Sequence, residues 1–95
     1  MTFSEFQDSL EKETPPNDLI TPLIALWYDG KGDWDKAHSY ADGPSDKISA
    51  RVHAYLHRKE GDQWNADYWY KRAGEGRTEV SLEEEWEMLV RRLLS

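Results

Sequence analysis

Gly32-Asp33-Trp34-Asp35-Lys36-Ala37 and Gly61-Asp62-Gln63-Trp64-Asn65-Ala66 are two versions of one phrase, set 29 residues apart. The match extends both ways, with Ala25 aligned to Ala54 before the phrase and Tyr40 to Trp69 after it. Each element has a physical role. Glycine takes the left-handed conformation that ends one helix, aspartate caps the next through its side chain, and an alanine four residues on lets two helix backbones approach closely. The repeated unit is therefore a helix, a tight turn and a second helix.

Outward from the repeat, apolar residues recur at helical spacing and no stretch alternates like a strand. Phe3, Phe6 and Leu10 predict a first helix over about 4–13, stopped by Pro15-Pro16. Thr21-Pro22 reads as a cap and first position of a second helix, apolar almost all round through Leu23, Ile24, Leu26, Trp27 and Tyr28, hence central. Asp33 caps a third through Trp34, Ala37, Tyr40 and Ala41, ended by Gly43-Pro44. Ser45 is expected to cap a fourth, whose core stripe is Ile48, Val52, Tyr55 and Leu56. Asp62 caps a fifth that Gly74 closes. Ser81-Leu82-Glu83-Glu84 is a capping box for a sixth, with Leu82, Trp86, Leu89, Val90 and Leu93 on one side. Glu83, Glu84 and Glu85 in its first turn, and Arg91 and Arg92 in its last, suit the helix dipole.

The small residue Ala54, the turn Gly61-Asp62 and the series Ala66, Tyr70 and Ala73 resemble the tetratricopeptide (TPR) repeat. The earlier copy matches at Ala25, Gly32-Asp33 and Ala37, but carries Ala41 where Tyr70 stands and Pro44 where Ala73 stands, and the period is shorter than the usual length of about 34. Val52 to Asp62, together with Tyr68-Trp69-Tyr70, also resembles a small group of uncharacterised TPR-like microbial proteins, which implies a fold and no activity. The resulting expectation is one all-α domain over 1–95, of short helical hairpins packed as a TPR-like array. Two hairpins span 18–74, and segments 1–17 and 75–95 cap them, the first helix shielding the first pair and the last helix the second.

Composition bounds the function. With 95 residues the chain supports one hydrophobic core and no two-domain enzyme. Charged residues make 33 % of it, yet 13 % is aromatic, so it folds. A net charge of −7 argues against a general nucleic-acid binder. No apolar run approaches the roughly 20 residues of a membrane span, and Met1-Thr2-Phe3-Ser4-Glu5 lacks the blocks of a signal peptide. The absence of cysteine makes a reducing cytoplasm the expected location. No cofactor is expected.

The charge is unevenly spread. Residues 1–46 hold 3 basic and 10 acidic groups, 47–74 hold 6 and 3, and 75–95 hold 3 and 6, so the second hairpin is a basic island. Arg51, Tyr55, Arg58 and Lys59 share one side of the fourth helix. By the TPR resemblance that side lines a concave groove, and these four residues are the expected partner-binding site for a protein or an acidic peptide, arginine supplying bidentate contacts and tyrosine a rigid flat one. A second reading stays open: the cations neutralise the chain's own acidic flank, Glu83 to Glu87.

The chain is accordingly read as a non-catalytic interaction module. Two alternatives accompany it. Of the consecutive Tyr68, Trp69 and Tyr70 at least one must be exposed, an anchor for a partner or a second copy in a homo-oligomer. His53 and His57 stand four apart with Glu60 a turn on, the spacing of a helical metal site in a small metal-dependent enzyme or sensor. His53-Ala54-Tyr55-Leu56-His57 lacks the glutamate of the zinc-protease motif, and His38 joins it only through folding. Ser4, Ser45 and Ser81 read as helix caps rather than nucleophiles.

Overall fold

The computed structural model describes residues 1–43 and 45–95; Pro44, which the sequence sets at the end of the third helix and in place of the repeat's last alanine, lies outside the described residues. Those residues form six helices: α1 Phe3–Ser9, α2 Thr21–Gly30, α3 Trp34–Asp42, α4 Lys47–Lys59, α5 Gln63–Arg72 and α6 Leu82–Leu94. No strand occurs among them.

The two Gly-Asp turns match bond for bond. Gly32 and Gly61 have φ of 85° and 90°, where a side chain would be strained. The Asp33 N–H donates to the Tyr28 carbonyl at 2.9 Å, and the Asp62 N–H to the His57 carbonyl at 2.9 Å, closing the preceding helix. The Asp33 and Asp62 carboxylates accept from the Lys36 and Asn65 N–H groups at 3.1 and 3.2 Å, opening the next. Ala25, Ala54, Ala37 and Ala66 are all fully buried at the helix contacts these turns create.

Several helix ends differ from the sequence reading. Thr2 caps α1 in a reciprocal box with Glu5, so the helix starts one residue earlier than expected. It ends at Ser9, and the amides of Leu10 to Lys12 bond three residues back in tighter turns. Asp46, not Ser45, caps α4: its Oδ1 accepts the Ser49 N–H at 2.7 Å and its Oδ2 the Ser49 hydroxyl at 3.0 Å. At α2 the cap position falls on Ile20, which offers no side-chain acceptor; Thr21 is the first helical residue and Pro22 sits where no N–H is needed. Ser81 caps α6 as expected, accepting the Glu84 N–H at 3.1 Å.

α2 pairs with α3 and α4 with α5, and the two hairpins lie side by side through α2 to α4 and α3 to α4. α6 crosses both first helices, α2 and α4, and α1 lies on α6, so the terminal helices form one layer over both hairpins rather than separate ends. Phe6, Leu23, Leu26, Trp27, Val52, Tyr55, Leu56, Leu89 and Val90 fill the space between these layers. Ile48, part of the expected core stripe, is exposed. Indole N–H groups staple the layers: Trp27 to the Ser9 hydroxyl at 3.0 Å, Trp86 to the Leu26 carbonyl at 2.9 Å, and Trp34 to the Leu56 carbonyl at 2.7 Å.

Candidate functional site

α4 carries polar groups on two roughly opposite sides, because residues 51, 55, 58 and 59 and residues 53 and 57 lie about half a turn apart at 100° per residue. The first side holds the four residues expected to meet a partner. All four converge, and each is held by a carboxylate of the chain itself.

Glu85 of α6 is the centre of this cluster and is 0 % exposed. Its Oε1 accepts from Arg58 Nη1 at 2.6 Å, its Oε2 accepts from the Tyr70 hydroxyl at 2.6 Å, and Arg51 Nη1 makes a charge contact to Oε2 at 2.7 Å that is too bent for an aligned hydrogen bond. Arg51 Nε donates to Glu75 at 3.1 Å, and its guanidinium lies 4.7 Å from the Tyr70 ring centroid. Asp29 of α2 is a second buried acceptor, taking the Tyr55 hydroxyl at 2.6 Å and Lys59 Nζ at 2.9 Å. Burial raises the Tyr55 hydroxyl's pKa, and the adjacent Asp29 carboxylate adds to it; burial and Glu85 do the same at Tyr70. Only Lys59 is appreciably open to solvent, and its ammonium is committed to Asp29.

The opposite side of α4 holds imidazoles. His38 of α3 meets His53 with 2.9 Å between their Nε2 atoms, the ring planes crossing at 84°. His57 stacks on His53 at 4.8 Å, and one ring nitrogen from each of the three histidines lies within 4.8 Å of the others. Two indoles wall the cluster: Trp69 stacks on His53 at 3.9 Å and Trp34 on His38 at 4.9 Å. Burial, then the neighbouring His38 and His57, push the His53 pKa down to about 4 against a weaker opposing pull from Asp42. His53 is neutral at physiological pH, with a lone pair on one ring nitrogen.

The hydrogen bonds around these rings fix further detail. Glu60 is a carboxylate acceptor 2.6 Å from His57 Nδ1, so Nδ1 carries a proton and Nε2 is the ring nitrogen this bond leaves unengaged. His53 Nδ1 is buried without a partner among the described residues, the nearest carboxylate oxygen among them, on Asp42, standing 3.9 Å away. A buried polar atom left unpaired costs about 1–3 kcal/mol. Asp62, also near His57, is already engaged as the α5 cap, its two oxygens taking the Asn65 amide and side chain.

Of the metal-ligand set suggested by spacing, His53 and His57 are thus brought together, Glu60 meets His57 at Nδ1 instead of joining the ring cluster, and His38 lies beside them from α3. Compared with protein-family models, with curated proteins and with solved structures, the chain matches none of them. Its function therefore rests on this geometry. No helix among the described residues is long and apolar enough to cross a membrane.

Residues beyond the sequence reading also matter. Glu85 completes the stripe of Leu82, Trp86, Leu89 and Val90 at the i+3 position, the signal that it points inward among three consecutive glutamates. Asp29 likewise continues Pro22, Ala25 and Leu26 at helical spacing. The exposed aromatics are Trp64 and Tyr68, at 77 % and 46 %, whereas Tyr70 is buried and Trp69 half-buried.

Proposed function

We propose that the chain is a non-catalytic, TPR-like interaction module that binds an acidic segment of a partner protein through the outer face of α5. The observation that carries this reading is Trp64, 77 % exposed on a helix whose backbone packs against α4 alone. Trp64, Tyr68, Lys71 and Arg72 are all exposed and fall within about 100° of one another on the helical wheel. The one acidic residue at their edge, Asp67, is tied to Gln63 and Arg77 at 2.9 and 2.6 Å. The face is therefore aromatic and cationic, the composition of an anchor for a carboxylate-bearing peptide. Arg72 lies 5.9 Å from the Tyr68 ring centroid and donates to its hydroxyl at 3.2 Å, which keeps the side chains in place before a partner arrives.

The TPR resemblance supports the same role, and the geometry favours α5 over the α4 quartet. Arg51, Tyr55, Arg58 and Lys59 already hold an acidic helix, the chain's own α6, through Glu85 and Asp29. A cytoplasmic location belongs to this proposal, on the cysteine-free composition.

Selection of a displayed random-peptide library on the intact protein tests the reading. Enrichment of Asp- and Glu-bearing peptides is expected, with binding reduced at least tenfold by Trp64→Ala or Arg72→Glu at unchanged helical content. Enrichment without acidic residues, or equal binding by both variants, would contradict it. Self-association that Trp64→Ala abolishes would assign the face to a second copy of the chain instead.

A further inference from the structure

We infer that His38, His53 and His57 form a binding site for a divalent first-row transition ion, zinc foremost, at the seam between the two hairpins. The site is independent of the α5 face. Two observations carry it, and a third bears on the tautomer of His53.

First, the ligand atoms converge. Ring nitrogens of the three histidines lie within 4.8 Å of one another, with His38 and His53 at 2.9 Å. A tetrahedral zinc ion about 2.0–2.1 Å from each nitrogen holds its ligands roughly 3.4 Å apart, which lies between those limits. Reaching that spacing takes a widening of about 0.5 Å between His38 and His53 and a closure of at most about 1.4 Å elsewhere in the set, shared between two rings. Three imidazoles with no thiolate suit zinc, copper(II) or nickel(II), and leave a fourth position to water.

Second, the outer shell is built. Glu60 accepts from His57 Nδ1 at 2.6 Å, the carboxylate-to-histidine arrangement that orients a ligating ring and raises its basicity. His57 Nε2 is the nitrogen this bond leaves available. Trp69 and Trp34 stack on the His53 and His38 rings and hold their planes.

Third, the apo arrangement leaves a polar atom unmatched. A single proton shared between the Nε2 atoms of His38 and His53 forces a choice at His53. If His53 donates, its Nδ1 is a buried bare acceptor; if it accepts, its Nδ1–H is a buried orphan donor. An ion bound by both Nε2 atoms removes the shared proton and fixes the second form. The Nδ1–H stays 3.9 Å from the Asp42 carboxylate, so the ion sets the tautomer of His53 without itself pairing this atom. His38 comes from α3 of the first hairpin and the other two from α4 of the second, so the ion would tie the hairpins together.

The test is a calorimetric titration of EDTA-treated full-length protein with zinc sulfate, paired with cobalt(II) absorption. Saturable 1:1 binding at micromolar or lower dissociation constant is expected, with the intense visible bands of four-coordinate cobalt. His38→Gln, at a half-buried position, is expected to weaken binding at least 100-fold, and Glu60→Gln about 10- to 100-fold. Both should keep the wild-type circular dichroism. Glu83→Gln with Glu84→Gln, on exposed carboxylates of α6, should bind like wild type. Imidazole nitrogen resonances of the wild type give a readout that needs no variant, and zinc should move Nε2 of all three histidines. Absence of saturable binding, only octahedral cobalt bands, imidazole resonances that stay in place, or a His38→Gln protein that titrates like wild type would each overturn the assignment.

Discussion

The two sides of α4 solve the burial of polar groups in different ways. Around Glu85 and Asp29 every charge meets its opposite: Arg51, Arg58 and Lys59 face two fully or nearly buried carboxylates, and two tyrosine hydroxyls complete them. Around His53 three groups of one kind converge, share one short contact, and leave a ring nitrogen unpaired. A closed cluster of this sort is structural, because each cation is committed to a carboxylate of the chain itself; even Arg51 Nη1, which makes no aligned hydrogen bond, lies 2.7 Å from Glu85. The open cluster brings ring nitrogens of three histidines within 4.8 Å of one another, the set proposed above to hold an ion. The contrast teaches that charged residues gathered on one helix side do not identify a site until their partners are known.

The largest effect is expected at the closed cluster. Glu85→Ala strands two guanidinium groups and the Tyr70 hydroxyl against a buried void, and is expected to cost about 3–5 kcal/mol in denaturant unfolding. Charge reversal at Arg51 or Arg58 would set a second carboxylate against Glu85 and unfold the chain, so such variants do not report on partner binding. The tyrosines add an alkaline signature. Tyr55 and Tyr70 have folded pKa values raised above the unfolded value of about 10, so they contribute stability that is complete below that pH and is lost as pH rises past it. Unfolding measured from pH 8 to 11 should show that decline, and Tyr55→Phe should flatten it.

Smaller effects sharpen the other side. Removing the hydrogen bond between rings by His38→Gln, in EDTA, is expected to cost about 1 kcal/mol, because the position is half-buried and no charge is stranded. Asp46→Ala removes both bonds to Ser49 at the start of α4 and should also cost about 1 kcal/mol by thermal melting. Its folded pKa is lowered chiefly by the Ser49 N–H, so this contribution is present above the unfolded carboxylate value and fades as pH falls below it. Trp64→Ala, at an exposed position on α5, should change stability by no more than about 0.5 kcal/mol, which makes it the clean probe of partner binding.

How much of this was legible in the sequence follows from range. The Gly-Asp turns, the caps at Asp33, Asp62 and Ser81 and the order of six helices depend on neighbours three to five residues apart, and periodicity and spacing expose them. The ends of α1 and α4 were displaced because Thr2 and Asp46 compete with nearby Ser4 and Ser45 for the same cap, and local composition does not rank them. The pairing of Arg58 with Glu85 spans 27 residues and that of Lys59 with Asp29 spans 30, so it depends on where α6 crosses α2 and α4. Helix phase did hold the clue that Glu85 and Asp29 point inward. His38 meets His53 only because the two hairpins lie side by side, 15 residues apart in sequence and on different helices. No spacing rule on one helix reaches that far.

The most direct test of the contrast is the thermal melting of wild type and His38→Gln, each with and without one equivalent excess of zinc. An ion that binds the folded state alone raises its melting temperature, and an open imidazole cluster predicts that rise in the wild type and its loss in His38→Gln. A wild-type melting curve unmoved by zinc, or an equal rise in both proteins, would show that the histidine side of α4 is as closed as the Glu85 side.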